Sequence, residues 1–224
     1  MTDALNERVL IIGTGDHGRV ILDLVRATGR FAVGMIEPSP QVRWPEVEGC
    51  PVLGTLDGPD AWRDAARGTG FVVALGDNAA RAAAFDRGLE LGLRPVAVVH
   101  PSAIVLGGAR IEDGAQVCAA AIVGVGAVVG ADAIVNTAAS LDHDVIVERH
   151  AFVAPGARLA GRVVVEEGAF VGIGASVRQG IRIGRWSTVG AGAAVVDDVA
   201  SSSLVVGVPA RVAAPVTIGA PEPR

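Results

Sequence analysis

The sequence predicts two structures in one chain: a Rossmann-like α/β half domain, followed by a parallel β-helix. Near the N-terminus, a Gly-rich turn joins an apolar run to an amphipathic run, which is typical of a strand–turn–helix unit. From Val105 to Val195, every sixth residue is Val, Ile or Leu, at sixteen successive positions. We therefore expect an α/β domain at 1–99, a repeat domain at 100–212 and a loosely ordered tail at 213–224.

The composition argues against several classes of protein. Nineteen Lys and Arg against 24 Asp and Glu give a net charge of -5, and no basic run occurs, so no nucleic-acid surface is expected. No secretory signal pattern is present, and no apolar run approaches the roughly 18 residues of a membrane span. The two cysteines, Cys50 and Cys118, have no metal-ligand spacing. We expect a cytoplasmic protein without a bound metal.

Strand and helix patterns alternate through the first hundred residues. The strand patterns cover 8–12, 32–36, the vicinity of Val52, 71–75 and 96–99, and the helix patterns cover 19–28, 59–67 and 79–92. Residues 13–18 read Gly-Thr-Gly-Asp-His-Gly, a turn whose glycines let backbone N–H groups approach a phosphate at a helix N-terminus. Because only one mononucleotide-binding half is present, NAD is disfavoured and a mononucleotide or nucleotide sugar is favoured.

Polar residues follow two of these strands at their carboxyl ends, where ligands bind in such sheets. Glu37 comes directly after the second strand and could hold ribose hydroxyls. Asp77 and Asn78 come soon after the strand at 71–75. The sequence therefore predicts a nucleotide site at this edge.

A period of six matches neither an α-helix nor an alternating strand, but it fits a short strand plus a corner. Three hexads would close one triangular coil with its aliphatic residues inside, so sixteen hexads predict about five coils. A small residue, mostly Ala, follows each aliphatic by four positions, and we expect it where the chain bends tightly. Glycines should supply corners of unusual φ. They are Gly108, Gly114, Gly126, Gly156, Gly168, Gly174, Gly180 and Gly192.

The order of these motifs resembles one family over residues 8–212. The turn at 13–18, Leu-Gly-Asp-Asn at 75–78, the hexads and the closing Val-Gly-Val-Pro-Ala-Arg at 206–211 are typical of bacterial hexapeptide-repeat sugar acyltransferases. That family includes the sialic acid O-acetyltransferases and the UDP-4-amino-sugar N-acetyltransferases. The resemblance implies a left-handed β-helix, acetyl-CoA as co-substrate, a nucleotide-sugar substrate and a homotrimer whose active sites lie between subunits.

The resemblance also implies the catalytic residues. His143 matches the family's catalytic base, Asp144 follows it, and Asn136 matches an asparagine seven residues earlier. A neutral imidazole is a suitable proton acceptor near pH 7, and a carboxylate on its other nitrogen would fix the tautomer. Asp142 could compete with Asp144 for that contact. Asn136 or a backbone N–H could stabilise the oxyanion.

The positions that match the family's acetyl-CoA contacts include one departure. A second histidine commonly stands nine residues after the base, where this chain has Phe152, and His150 is displaced by two positions. Either the thioester contact is lost, or His150 takes it over from another direction. The other matching positions are Gly161, Ile173 and Ala191.

The nucleotide-sugar positions match with two departures. Pro38 stands where a second aspartate is common, and Asp16 stands where a glycine is common. A proline offers neither a polar side chain nor an N–H donor. The full set of matching positions is Gly15, Asp16, His17, Glu37, Pro38, Leu75 and Asn78.

Three other functions compete with N-acetylation of a nucleotide-linked amino sugar. An O-acetyltransferase acting on free sialic acid would not need a nucleotide pocket. A non-catalytic β-helix scaffold would leave the His143–Asp144 pair unexplained. A zinc carbonic anhydrase of the β-helix type needs three histidine ligands, but the sixteen hexads contain only His143 and His150.

Overall fold

The computed structural model describes residues 8–58 and 61–215. The chain divides into two compact units, Met1–Val98 and Val99–Arg224. The elements of the first unit are β1 (Arg8–Ile12), α1 (Asp16–Ala27), β2 (Phe31–Glu37), β3 (Glu46–Val47), β4 (Cys50–Thr55), α2 (Ala61–Ala66), β5 (Gly70–Val73), α3 (Asn78–Glu90) and β6 (Arg94–Pro95).

The first unit is built on a six-stranded sheet in the order β3-β4-β2-β1-β5-β6. Strand β1 lies at its centre and pairs in parallel with both β2 and β5. Its residues from Val9 to Ile12 have no exposed surface, as expected for a parallel strand covered on both faces. The chain first winds to one side of β1 and then crosses to the other. The carboxyl ends of β1 and β5 therefore flank a switch point of the topology, where ligands bind in such sheets.

In this unit, one predicted strand needs correction and one hairpin was missed. No single strand covers the expected 96–99: β6 is Arg94–Pro95, and Val98–Val99 forms a short strand in a sheet of the β-helix. The β3–β4 hairpin was not predicted. Its two-residue turn, Glu48-Gly49, has positive φ at both positions (47° and 74°), which suits a tight hairpin turn.

The second unit consists of short parallel strands stacked into three sheets. Sheet I contains eight strands, sheet II six and sheet III five. Sheet I consists of β7 (Val98–Val99), β10 (Gln116–Val117), β13 (Ile134–Val135), β16 (Phe152–Val153), β19 (Phe170–Val171), β22 (Thr188–Val189), β24 (Ser203–Val206) and β25 (Arg211–Pro215). Sheet II consists of β8 (Ile104–Val105), β11 (Ile122–Val123), β14 (Ser140–Leu141), β17 (Arg158–Leu159), β20 (Ser176–Val177) and β23 (Ala194–Val195). Sheet III consists of β9 (Arg110–Ile111), β12 (Val128–Val129), β15 (Ile146–Val147), β18 (Val164–Val165) and β21 (Arg182–Ile183).

The hexad interpretation is confirmed residue by residue. Each of the sixteen aliphatic positions is the second residue of a two-residue strand, from β8 to β23. Strands pair with a register of 18 residues, as in Val117↔Val135 and Val135↔Val153. From Val117 onward, these aliphatic residues are buried and form one continuous core. The core is a narrow column because every coil repeats the same small cross-section.

The small residues occupy a different place from the one expected. The residue that bends each corner precedes them by one position: Gly126 has φ 68°, and Ala127 after it is fully buried. The alanines therefore fill the narrow corners of the core, where a larger side chain would not fit. All eight predicted corner glycines do have positive φ.

Seven corners of the repeat have a residue other than glycine at the positive-φ position. This conformation costs an L-residue about 1–2 kcal/mol, so it marks positions worth inspecting for function. The seven are Ala120, Asp132, Ala138, Asp144, His150, Arg162 and Trp186. Two of them, Asp144 and His150, are predicted site residues.

The repeat ends in an antiparallel pair, because β25 runs back along β24 at the edge of sheet I. Residues 213–215 of the expected tail belong to β25, and the rest of that tail lies outside the described residues. In the described parts of the chain, no helix is long and apolar enough to cross a membrane.

Candidate active site

His143 lies on the corner between sheets II and III, in residues 142–145. Its Nδ1 is 2.9 Å from Oδ2 of Asp144, while its backbone N–H donates to Oδ1 of Asp142 at 2.7 Å. Asp144 therefore holds the ring, and Asp142 holds the backbone. The imidazole is 47% exposed, so a ligand can reach it. In the neutral ring, the contact with Asp144 favours the tautomer that has its proton on Nδ1 and its lone pair on Nε2.

Two glycines make room for this pair. A Cβ atom on Gly161 would lie 2.3 Å from Nε2 of His143 and 2.5 Å from Cε1, so the ring rests directly against the Gly161 backbone. A Cβ atom on Gly126 would lie 2.8 Å from Oδ1 of Asp144. Both glycines lie 18 residues from the group they face, one coil away. Any side chain at Gly161 would displace the imidazole.

A groove of about 450 Å³ runs from His143 over the outer face of sheet II. Leu106 and Val125 give it an apolar wall, and both are exposed. Ser140 and Arg158 lie on its floor as paired neighbours of β14 and β17. The groove thus combines a base, an apolar surface and a cation, which suits a ligand of mixed character.

Asn136, Ile173 and Ala191 lie on another corner, between sheets I and II. The side-chain oxygen of Asn136 accepts from the backbone N–H of Thr137 at 2.7 Å, which leaves its amide NH₂ as a donor. Ile173 is 60% exposed, and its carbonyl accepts from Gly192 N–H, the residue after Ala191. This corner adjoins one edge of sheet II, and the corner with His143 adjoins the other edge. One chain therefore does not bring Asn136, Ile173 or Ala191 to the His143 corner.

His150 lies on the third corner, between sheets III and I, and is 1% exposed. Its Nδ1 is 2.8 Å from Oδ2 of Asp132, which is also completely buried. Phe152 is buried on the outer face of sheet I, with its ring centroid 5.2 Å from that of Phe170. Neither His150 nor Phe152 lines the groove at His143.

The Gly-rich turn of the first unit is shaped by packing at two of its three glycines. A Cβ atom on Gly13 would lie 2.4 Å from the carbonyl oxygen of Ala74, and one on Gly18 would lie 2.5 Å from that of Gly13. A Cβ atom on Gly15 would meet nothing within 4 Å. Packing within the chain therefore does not demand glycine at Gly15, which begins α1 as its N-cap without a side-chain cap.

Glu37, the acidic residue predicted to hold ribose hydroxyls, is the last residue of β2 and is held by residues of two loops. The hydroxyl of Thr14 donates to Oε2 of Glu37, and the N–H of Ser39 donates to Oε1 at 3.2 Å. Glu37 is buried, and each carboxylate oxygen retains a second acceptor site for a ligand hydroxyl. Asp16 is exposed, whereas His17 and Pro38 are half-buried beside this carboxylate's loops.

The loop after β5 is held by a buried arginine. Nη1 of Arg81 donates to Oδ1 of Asn78 at 2.8 Å and to the carbonyl of Leu75 at 3.2 Å. Arg81 has no exposed surface. Its burial makes these contacts strong, and it fixes two of the predicted substrate positions in place.

Sequence reasoning missed four residues that shape these sites: Thr14, Arg81, Gly126 and Arg158. Three had a readable signal. Arg81 follows Asn78 by three positions on one helix face, and the 18-residue register relates Gly126 to Asp144 and Arg158 to Ser140. Thr14 stands inside the glycine turn, but nothing in the sequence shows that its hydroxyl reaches Glu37.

Neither cysteine offers a nucleophile. Burial raises the pKa of the Cys118 thiol to about 12 and also raises that of Cys50. Both thiols therefore stay protonated near neutral pH. Among the described residues, no group of three His, Cys, Asp or Glu side chains could hold a metal ion.

Comparison with known proteins gives a consistent result. The family model of the PglD N-terminal domain matches residues 8–87. Perosamine N-acetyltransferase from Caulobacter crescentus, solved with CoA and GDP-perosamine, is 35% identical, with 92% of this chain and 96% of that chain covered and a TM-score of 0.84. The acetyltransferase domain of PglB from Neisseria gonorrhoeae was solved with acetyl coenzyme A. It is 32% identical, with 93% of this chain and 100% of that chain covered, and its TM-score is 0.82.

A third structure, WeeI from Acinetobacter baumannii, is 22% identical over 92% of this chain and 99% of that chain, with a TM-score of 0.81, and supports the fold alone. No curated protein sequence matches the chain. These likenesses confirm the expected fold class, an α/β domain followed by a left-handed parallel β-helix, and the expected family.

Proposed function

Because the chain belongs to the hexapeptide-repeat sugar N-acetyltransferases, we propose that it transfers an acetyl group from acetyl-CoA to the amino group of a nucleotide-linked 4-amino sugar. One observation carries the assignment of the base. The imidazole of His143 is exposed in a groove, and its Nδ1 is engaged by Asp144 at 2.9 Å. Nε2 is thereby left as a proton acceptor beside Gly161.

The reaction is a direct transfer in a ternary complex. The amino nitrogen of the sugar attacks the thioester carbonyl carbon while Nε2 of His143 takes a proton from that nitrogen. The new N–C bond forms, the C–S bond breaks, and the imidazolium of His143 gives its proton to the leaving thiolate, which restores the base. Asp144 stabilises the imidazolium that forms. An acyl-enzyme on cysteine is disfavoured, because the pKa of Cys118 is raised to about 12.

The neighbours and the two sites of this chain support the proposed substrates. Perosamine N-acetyltransferase was solved with CoA and a GDP-linked sugar. In this chain, Gly15 and the Thr14–Glu37 pair lie at the carboxyl end of the central strand, where a nucleotide's ribose and the phosphate next to it would bind. The apolar wall of Leu106 and Val125 suits the pantetheine arm of acetyl-CoA.

We further propose a homotrimer with active sites between subunits. His143 and Gly161 lie at one edge of sheet II, while Asn136, Ile173 and Ala191 lie at the other. If both groups serve one reaction, they must come from two copies of the chain. A closed ring of identical copies would bring the two edges together at every interface.

The decisive experiment measures thiol release from acetyl-CoA with a panel of UDP-, GDP- and dTDP-linked 4-amino sugars. Turnover of at least one is expected, together with a loss of about a hundredfold or more in His143→Ala. His100→Ala is the matched control, since the ring of His100 hydrogen-bonds the backbone N–H and hydroxyl of Ser102 and does not line the groove. Thiol release with free sugars alone would favour O-acetylation, and silence with every sugar would favour a scaffold.

A further inference from the structure

Arg158 places a positive charge in the same groove as His143. Its side chain is exposed and lines the groove on the outer face of sheet II. Ser140, its partner across the β14–β17 pairing, leads directly into the His143 corner. Gly161, which supports the imidazole, follows Arg158 by three residues. The two Cα atoms are therefore no more than about 11 Å apart, within the span of one small ligand.

Within the described residues, the guanidinium of Arg158 makes no ion pair. Other arginines of the repeat do: Arg182 pairs with Glu166 at 2.7 Å, and Arg185 pairs with Glu167 at 3.1 Å. Asp142, the acid that lines the groove, accepts from the His143 backbone, and the neighbouring Asp144 contacts the His143 ring. The groove therefore has a cation that the protein leaves available to an anionic ligand.

Both proposed substrates have phosphates, but their distances from the reacting atoms differ. In a nucleotide-linked 4-amino sugar, the phosphate on the anomeric carbon lies one sugar ring away from the amino nitrogen. In acetyl-CoA, the whole pantetheine arm separates the thioester from the diphosphate. Since Arg158 lies close to the base, the sugar-linked phosphate is the one within its reach. The planar guanidinium also matches phosphate oxygens in pairs.

We propose that Arg158 binds the sugar-linked phosphate and so turns the amino group toward Nε2 of His143. The inference rests on the proposed function, because it assumes a nucleotide-linked amino sugar in this groove. It makes Arg158 a determinant of specificity for phosphate-linked over free sugars. Ser140 and Ser176, its outward neighbours on adjacent coils, leave space around the guanidinium for such a ligand.

The test compares Arg158→Met, Arg158→Lys and the control Arg110→Met in the full-length enzyme. Arg110 is an exposed arginine on sheet III, outside the groove. Arg158→Met should raise KM for the nucleotide sugar about tenfold to a hundredfold and change the Kd of acetyl-CoA less than twofold. Arg158→Lys should recover part of the loss, and Arg110→Met should match the wild type.

Competition with two fragments gives a readout that a purely structural role would not move. The amino sugar 1-phosphate should bind the Met variant at least tenfold more weakly than the wild type, whereas its methyl glycoside, which has no phosphate, should bind both equally. Weaker acetyl-CoA binding alone, or an unchanged KM for the sugar in an active enzyme, would overturn the inference. A wild type that turns over no nucleotide sugar would instead overturn the proposed function, and this inference with it.

Discussion

Two corners of the β-helix contain a histidine whose Nδ1 faces an aspartate, and the two pairs differ most in their exposure. On the corner between sheets II and III, His143 meets Asp144 at 2.9 Å; on the corner between sheets III and I, His150 meets Asp132 at 2.8 Å. The first imidazole is 47% exposed and the second 1% exposed. The pairing is the same, so exposure decides which pair can meet a substrate. The second pair joins two successive coils.

The sharpest test of this comparison removes each histidine in turn. We expect His143→Ala to lower kcat by about a hundredfold to ten-thousandfold with little change in stability, because it removes an exposed base. His150→Ala should lower the free energy of unfolding by on the order of 3 kcal/mol, because it takes a partner from a buried carboxylate. Its kcat per folded molecule should stay within a few-fold of the wild type. Urea denaturation and turnover together measure both, and exchanged phenotypes would refute the comparison.

The glycine beneath the exposed ring gives the next largest effect. In Gly161→Ala, the new Cβ would lie 2.3 Å from Nε2 and must displace the ring. We expect kcat to fall about tenfold to a hundredfold, since a shift near 1 Å of a catalytic group has this effect.

The control for that substitution is Gly107→Ala, because a Cβ there meets nothing within 4 Å and no positive φ is required. It should retain wild-type turnover. Gly161→Ala with wild-type kcat would show that the base does not depend on this contact.

A complementation experiment tests whether the exposed corner acts together with a corner of another copy. His143→Ala and Asn136→Ala should each be nearly inactive alone. Coexpressed in equal amounts, they should recover about a quarter of wild-type turnover, because each mixed trimer holds one intact site. If the coexpressed enzyme is as inactive as each single variant, the active site does not combine His143 of one copy with Asn136 of another.

The smallest expected effect is a change of stability with pH that comes from the buried thiol of Cys118. Burial raises its pKa to about 12, so the folded protein holds the neutral form while the unfolded chain ionises nearer its ordinary value. The contribution of the neutral, buried thiol to the free energy of unfolding is fully present below the pKa of Cys118 in the unfolded chain. It is lost as the pH rises from that value toward 12. Thiol titration at pH 8 should label Cys118 only after unfolding. Rapid labelling of the native protein would contradict the assigned burial.

The comparison also shows how far sequence reasoning reaches. The 18-residue register follows from the sixteen aliphatic positions, and with it the stacking of Gly126 on Asp144 and of Arg158 on Ser140. The choice between Asp142 and Asp144 did not follow, since it depends on side-chain geometry at one corner. The burial of His150 could not be predicted either, because the position of a residue within a hexad does not show whether its side chain is buried or exposed at that corner. The hydrogen bond from Thr14 to Glu37 joins residues 23 apart through the packing of two loops.

The antiparallel β25 has a consequence for the end of the repeat. A stack of parallel coils presents its last strand as a template on which an identical coil could add. Strand β25 covers that template in sheet I, running in the opposite direction from Arg211 to Pro215. A charged residue and a proline on an outer strand are both unfavourable for further pairing. In sheet I, the hairpin therefore blocks the addition of a further parallel coil at this end of the repeat.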